Sequence, residues 1–207
     1  DESAAPIAGA DGEILGAVFI FHDVSRARCL ARQLAHQASH DFLTGLVNRH
    51  EFERRVGRAL TRAQQEAVTQ ALCFLDLDKF KAINDSHGHT EGDELLLQVT
   101  GRLKETLGTA QELYRLGGDE FAIVTLESAD LEQELEGTMQ ILLRALSEPF
   151  PCNNFIHHIG SSAGSALFPR QGNSTALLRA ADIAMYKAKE SGGGRHQFYT
   201  DAIDKET

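Results

Sequence analysis

The chain has 207 residues, 30 of them acidic and 20 basic, for a formal net charge of −10. That length holds one domain with a full hydrophobic core plus flanking sequence, and 42% hydrophobic with 24% charged residues argues against disorder as the dominant state. The acidic excess argues against a nucleic-acid or anionic-membrane binder that works by counterion release. No apolar run approaches the roughly 20 residues of a spanning helix.

Three dispersed cysteines, Cys29, Cys73 and Cys152, fit a reducing compartment better than a disulfide framework or a paired-cysteine metal site. No signal-peptide pattern opens the chain, and a start at Asp1 without Met reads as a piece of a longer protein.

In chain order, Asp11-Gly12 is a turn signal and Ile14 to Phe21 has strand composition. Two strands alone bury too little to be stable, so residues 1–24 read as the end of another domain that needs partners. A helix is predicted next, capped by Ser25, with Leu30 and Leu34 on one face and Arg26, Arg28 and Arg32 on the solvated one. So narrow an apolar stripe favours pairing with a copy of itself.

From Asp41 the elements alternate. Phe52, Val56, Leu60 and Ala63 repeat as a helix stripe. Ala71 to Leu75 is a buried strand ending in Asp76. Leu96, Val99, Leu103 and Leu107 mark a second helix. Leu113 to Leu116 and Phe121 to Leu126 are strands joined by the hairpin signal Gly117-Gly118-Asp119. Leu131, Leu135, Met139, Leu142 and Leu146 make a third helix with an acidic outer face. Phe155 to Phe168 reads as one strand. Leu177, Ala181, Ala184 and Ala188 mark a fourth helix, ended by Gly192-Gly193-Gly194, and His196 to Tyr199 is a last short strand. The order αβαββαβαβ predicts an α+β fold, a sandwich with a mixed central sheet flanked by helices.

Carboxylates stand where a half-buried sheet disfavours them: Asp76 and Asp78 at the end of a very apolar strand, Asp119 and Glu120 in a tight hairpin turn. Turn chemistry alone accounts for such positions. The other reading is a divalent-metal site, with Asp76 and Asp119 brought together by adjacent strands, since hard carboxylate oxygens suit Mg²⁺. Two such charges about 4 Å apart repel by about 4 kcal/mol at an effective dielectric near 20, which a cation offsets.

The surroundings favour the metal. A strand end followed by a turn leaves free backbone N–H groups that can cradle phosphates, with Lys81 as a point charge. Asn84 and Asp93 carry donors and acceptors complementary to the Watson–Crick edge of guanine. Gly117 and Gly118 let a ligand lie close to the hairpin. The Walker A pattern GxxxxGK[ST] is absent.

Taken together, Leu43-Thr44-Gly45-Leu46-Val47-Asn48-Arg49, Asp76-Leu77-Asp78-Lys79-Phe80-Lys81-Ala82-Ile83-Asn84-Asp85, Gly88-His89, Gly92-Asp93, Arg115-Leu116-Gly117-Gly118-Asp119-Glu120-Phe121 and Ala181 to Lys189 resemble a GGDEF domain, the diguanylate cyclase family. The resemblance covers residues 41–200. It implies a fold like the palm of polymerases and class III nucleotidyl cyclases, and condensation of two GTP into cyclic di-GMP with release of pyrophosphate.

It further implies two Mg²⁺ per site (Mn²⁺ as an alternative) held by Asp76, Asp119 and the Leu77 carbonyl, with Asp119 or Glu120 assisting deprotonation of the 3′-hydroxyl. Asn84 and Asp93 would read guanine. Lys81, Lys189 and the N–H groups of Lys79 and Phe80 would bind phosphates, and Gly118 would leave room for the nucleotide. Because the product is two-fold symmetric and each domain binds one GTP, activity requires a homodimer.

By the same resemblance, residues 1–24 are the last strands of a PAS-like sensor and 25–40 a signalling linker helix. Residues 201–207 are a linker, possible in tandem proteins as the join to an EAL phosphodiesterase domain. The setting is cytoplasmic, in a parent that is itself soluble or membrane-anchored.

Three departures stand out. Many members carry an RxxD product-inhibition site nine positions before the first motif glycine. Gly108-Thr109-Ala110-Gln111 stands there, so that route should be lost. Gly193 occupies the position of an Arg that contacts the γ-phosphate, which predicts weaker GTP binding, with Arg195 close by as a substitute. Phe42 replaces a usual Pro in a turn. The alternative function is a catalytically silent GTP-binding module that regulates a neighbouring phosphodiesterase.

Overall fold

A computed structural model describes residues 2–8, 10, 13–21, 23–108, 111–125, 130–153, 155–170 and 172–204. The chain divides into two compact units, Asp1–Ala38 and Ser39–Thr207. No helix among the described residues is long and apolar enough to cross a membrane.

In the first unit, β1 (Glu2–Ala8) and β2 (Ile14–Phe21) pair antiparallel, Glu2 opposite Phe21, and α1 (Ser25–Ser39) follows. The predicted turn at Asp11-Gly12 lies outside the described residues. The predicted Ser25 cap is displaced by two residues: the Asp23 carboxylate accepts the Ser25 N–H at 2.9 Å, because a side-chain oxygen two residues upstream reaches the first free amide. Val18, Phe19, Leu30 and Leu34 are all exposed.

The second unit is built on β3 (Gln70–Asp78). Before it comes α2 (Arg49–Glu66), capped by Asn48, whose side chain accepts the Glu51 N–H. After it come α3 (Phe80–His87), α4 (His89–Leu107), β4 (Gln111–Gly117), β5 (Glu120–Thr125) and α5 (Leu131–Ser147). The hairpin β6 (Phe150–Cys152) and β7 (Phe155–His157) forms its own small sheet. The chain closes with β8 (Gly160–Phe168), α6 (Ser174–Glu190), β9 (His196–Phe198) and a short α7 (Asp201–Asp204). The five-stranded sheet runs β4-β5-β3-β8-β9, antiparallel except for the β8–β9 pair, which makes it mixed as predicted.

The alternation of a strand explains the two cores. On β3, Ala71, Cys73, Leu75 and Leu77 face α4 and α5. Leu72 and Phe74 face α2 and α6. A strand covered on both faces needs an unbroken apolar run, which is what Ala71 to Leu75 supplies. The same alternation continues into polar residues, so Asp76 and Asp78 fall on the α6 side.

Two expectations are corrected. The segment after Asp78 is helix, entered through Lys79 in the left-handed region (φ 64°), where a phosphate-cradling turn was expected. Phe155 to Phe168 is broken into β7 and β8, because Phe150 and Cys152 bury themselves and β7 folds back to pair with them. The tail forms the turn of α7, with Ile203 buried, before residues 205–207, which lie outside the described residues.

β9 is fastened by His196. Its Nδ1 meets Glu136 Oε2 of α5 at 2.6 Å, and its Nε2 meets Ser165 Oγ of β8 at 2.8 Å. Ser165 is wholly buried, so this Ser-His-Glu chain is a structural tie and not a nucleophile with access to substrate.

Burial holds the imidazole below its ordinary value against the pull of Glu136. A depressed base costs stability as pH falls through the unfolded value near 6.5. His196→Phe is therefore expected to lower stability by about 2 kcal/mol at pH 8, for two lost buried hydrogen bonds. It should also flatten the loss of stability between pH 7 and 5, read by denaturant melts at each pH.

Candidate active site

The ends of β3 and the β4–β5 hairpin build the site. Asp76 pairs in register with Glu120, and the Leu77 N–H donates to the Asp119 carbonyl at 3.4 Å, so the hairpin turn lies across the strand end. Gly117 (φ 139°) and Gly118 (φ 54°) supply the backbone conformations that a side chain disfavours. Asp76 is buried, and Lys189 Nζ of α6 sits 2.7 Å from its Oδ1. Burial pushes the Asp76 carboxyl up to about 6, the Lys189 contact opposes this, and the charges of Asp119 and Glu120 raise it further.

Among the described residues no group of three or more His, Cys, Asp or Glu converges as a ready-made cage. The site instead offers two carboxylates in a crowded anionic corner. That suits a hard divalent ion whose remaining ligands are water and phosphate oxygens.

The hairpin is clamped from below. Buried Arg115 donates from Nε (3.1 Å) and Nη2 (2.8 Å) to the Gly118 carbonyl and from Nη1 to Asp41 Oδ1 at 2.7 Å. Asp41 also accepts from the Thr44 N–H (2.9 Å) and hydroxyl (2.6 Å). Burial would raise the Asp41 carboxyl, but Thr44 and Arg115 outweigh it and hold it below the ordinary value. From α2, Arg49 donates to the Leu116 carbonyl and pairs with Glu120, both at 3.0 Å. Both arginines lie inside the motifs Leu43 to Arg49 and Arg115 to Phe121, where the sequence alone assigns them no role. The signal for Arg115 is an unpaired charge within a strand otherwise fit for burial.

Asn84 of α3 and Gly92 of α4 meet where the two helices touch. A Cβ at Gly92 would stand 1.9 Å from Asn84 Oδ1. That Oδ1 is buried and has no hydrogen-bond partner among the described residues, an acceptor left unsatisfied where α3 meets α4. Asp93, next to Gly92, is exposed.

The start of α3 carries no side-chain cap, which leaves first-turn amides of Phe80 and Lys81 open, with Phe80 itself buried. Lys79 and Lys189 line a cavity of about 830 Å³ together with Asp78, His87, His158 and Gly192 to Gly194. Lys81, exposed on the first turn, stands outside that lining.

Gly193 (φ 69°) has Asp78 Oδ2 2.9 Å from where its Cβ would be, and Arg195 Nε lies 3.4 Å from its carbonyl. At the other edge Gly108 closes α4 and Gln111 opens β4, while Thr109 and Ala110 lie outside the described residues.

The fold is a palm-like mixed sheet whose central strand and neighbouring hairpin bring carboxylates together beside an uncapped helix start. The diguanylate cyclase, GGDEF domain, profile matches residues 38–195, and the chain belongs to that family. It is 36% identical over 198 residues to the probable diguanylate cyclase DgcE of Escherichia coli, covering 95% of this chain and 18% of that protein. It is 35% identical over 208 residues to the cyclic di-GMP phosphodiesterase PdeB of Shewanella oneidensis, covering 100% of this chain and 24% of that protein. The chain thus spans about a quarter or less of these relatives.

Among solved structures, the coiled coil and GGDEF domain of DgcB from Caulobacter crescentus, in complex with c-di-GMP, superposes with a TM-score of 0.79 at 27% identity. It covers 85% of this chain and 93% of that one.

Proposed function

We propose that this domain is a diguanylate cyclase that condenses two GTP into cyclic di-GMP and pyrophosphate where two copies face each other. The observation that carries the reading is the meeting of Asp76 with the Asp119 turn under Lys189. Asp76, Asp119 and the Leu77 carbonyl would hold two Mg²⁺ or Mn²⁺, which when bound supply Lewis-acid charge at the attacking oxygen and the departing pyrophosphate.

The chain's own groups do the rest. The 3′-oxygen of one GTP forms a bond to the α-phosphorus of the other, the bond to pyrophosphate breaks, and the hydroxyl proton passes to the carboxylate of Asp119 or Glu120. The unpartnered Asn84 Oδ1 accepts an N–H of guanine, and Asp93 takes a second. Lys81, Lys189 and the backbone N–H groups of Lys79 and Phe80 hold the phosphates, and Gly118 leaves room beside the hairpin.

The two-fold product requires a homodimer, with α1 as the pairing element and the β1–β2 hairpin as the end of a PAS-like sensor. Gly108 and Gln111 leave no RxxD site for product. The setting consistent with a GTP substrate is the cytoplasm, without nucleic acid or direct membrane contact.

Incubation of the purified protein with GTP and Mg²⁺ should yield cyclic di-GMP and pyrophosphate, and Asp119→Ala should yield none. Gly92→Ala, which drives a methyl into the Asn84 carboxamide, should weaken GTP binding at least about tenfold in titration calorimetry. A dimer that binds GTP without turning it over would instead be a silent regulatory module for a neighbouring EAL-type domain, the reading that the crowded Gly193 position and the PdeB relative favour.

A further inference from the structure

The Asp78 carboxylate accepts two hydrogen bonds and is flanked closely by two glycines. Oδ1 accepts from the Ser162 hydroxyl at 2.8 Å, and Ser162 is wholly buried. Oδ2 accepts the Gly194 N–H at 3.1 Å. A Cβ on Gly160 or on Gly193 would stand 2.8 or 2.9 Å from the same Oδ2, so both flanking backbones approach as closely as glycine permits.

The glycine run that Asp78 grips is itself welded to α6. Gly192 N–H donates to the Lys189 carbonyl and Gly193 N–H to the Ala188 carbonyl, each at 3.1 Å. Three consecutive amides therefore lead from the backbone of Lys189 to Asp78. On β3, Asp78 is two residues past Asp76 on the same face, about 7 Å away along the strand. Lys189 closes the circuit by reaching back to Asp76 at 2.7 Å.

From this circuit we infer that Asp78 is a positioning residue for the phosphate end of the nucleotide site: it locks the Gly192–Gly194 turn to β3 and thereby fixes where α6 presents Lys189. The inference rests on the proposed reading for the identity of the ligand. It also gives a physical reason for glycine at position 193, where a side chain would combine a left-handed backbone with a collision against Asp78. The cation that this chain offers to a polyphosphate from α6 is then Lys189, and its placement depends on the Asp78 carboxylate.

The Gly194 N–H can only donate, whereas the Ser162 hydroxyl can also accept, so Asp78→Asn can keep both contacts but only as neutral hydrogen bonds, and Asp78→Ala keeps neither.

The test is a double-variant cycle in the whole chain, with thermal melts to establish folding. Ligands are a non-hydrolysable GTP analogue and GMP, both with Mg²⁺, and amide hydrogen exchange is followed over residues 190–195. Asp78→Ala should speed exchange of the glycine turn and lower affinity for the GTP analogue about tenfold, with less than about a twofold change for GMP. Asp78→Asn should fall between. Gly193→Ala, which pushes the turn off Asp78 from the other side, should reproduce the loss. In a Lys189→Met background, Asp78→Ala should cost less than about twofold further, since the group it positions is gone.

Unchanged exchange in Asp78→Ala, equal losses for GTP analogue and GMP, or the same loss with and without Lys189 would each overturn the inference. Failure of the unsubstituted protein to bind the GTP analogue would overturn the proposed function, while the exchange arm still decides whether Asp78 holds the turn.

Discussion

Arg115→Ala is expected to destabilise the catalytic unit by about 3 kcal/mol and to abolish cyclic di-GMP formation with it. The side chain is 8% exposed and makes three hydrogen bonds: two to the Gly118 carbonyl and one to Asp41. Its removal strands the Gly118 carbonyl in the β4–β5 turn and leaves Asp41, 17% exposed, without its counter-charge. The cost of breaking such a pair comes chiefly from the charge left behind.

Arg115→Met combined with Asp41→Asn should therefore recover part of the lost stability while leaving activity low, because the fork that orients Gly118 is still missing. The acid limb supplies a second readout. Asp41 is held below its ordinary value, so its contribution is full above about pH 4 and is lost as pH falls below that. In Arg115→Ala the loss of stability on acidification should shrink. Denaturant midpoints at pH 7 and pH 3.5 for the three proteins measure both effects. Equal stability of Arg115→Ala and the unsubstituted protein at pH 7 would remove the clamp from the account.

How much of this was legible in the sequence depends on the range over which each feature is decided. Ala71 to Leu75 announced a strand covered on both faces, and the Leu-rich stripes of α4 and α5 announced the helices that cover one of them. These are local patterns. α3 escaped because Phe80 to His87 is two turns long, too short for a period to show, and because its entry is a left-handed Lys79 that no local rule favours. The β6–β7 hairpin escaped because its strands are three residues each and owe their existence to Phe150 and Cys152 being buried from above.

In the site, the residue types were legible and their companions were not. Asp76 and Asp119 stood out as misplaced carboxylates. That Lys189 occupies Asp76, that Arg115 reaches both Gly118 and Asp41, and that Asp78 grips a glycine run 116 positions away are consequences of strand register and helix placement. Gly193 looked like a lost phosphate ligand. In the structure its backbone is left-handed, and a Cβ there would crowd the Asp78 carboxylate.

Asp76→Asn should make the nucleotide-free protein more stable and the enzyme inactive. The carboxylate is 7% exposed and shares its corner with Asp119 and Glu120, and the Lys189 ammonium offsets this only in part, so its carboxyl rises from 3.8 to about 6. The folded state thus holds the proton more tightly than the unfolded chain does. With respect to this group, stability is full below about pH 4, declines as pH rises to about 6, and stays reduced above that. Asparagine is nearly the same shape and carries no charge, so it escapes the decline.

At pH 7 the gain should be on the order of 1–2 kcal/mol after allowance for solvent screening. Lys189, about a third exposed, can return to water when its partner is gone. Melting curves from pH 4 to 8 should show the two proteins alike at the acid end and separating up to pH 6, with a constant gap beyond. Turnover should fall at least about a hundredfold, since the residue left at the strand end can no longer hold a divalent ion. Addition of Mg²⁺ with a GTP analogue should narrow the gap by stabilising the carboxylate form alone. A variant less stable than the parent at pH 7 would mean that the Lys189 contact outweighs burial and repulsion. A more stable, inert variant would identify Asp76 as a charge kept at the expense of the fold for the sake of the metal it holds.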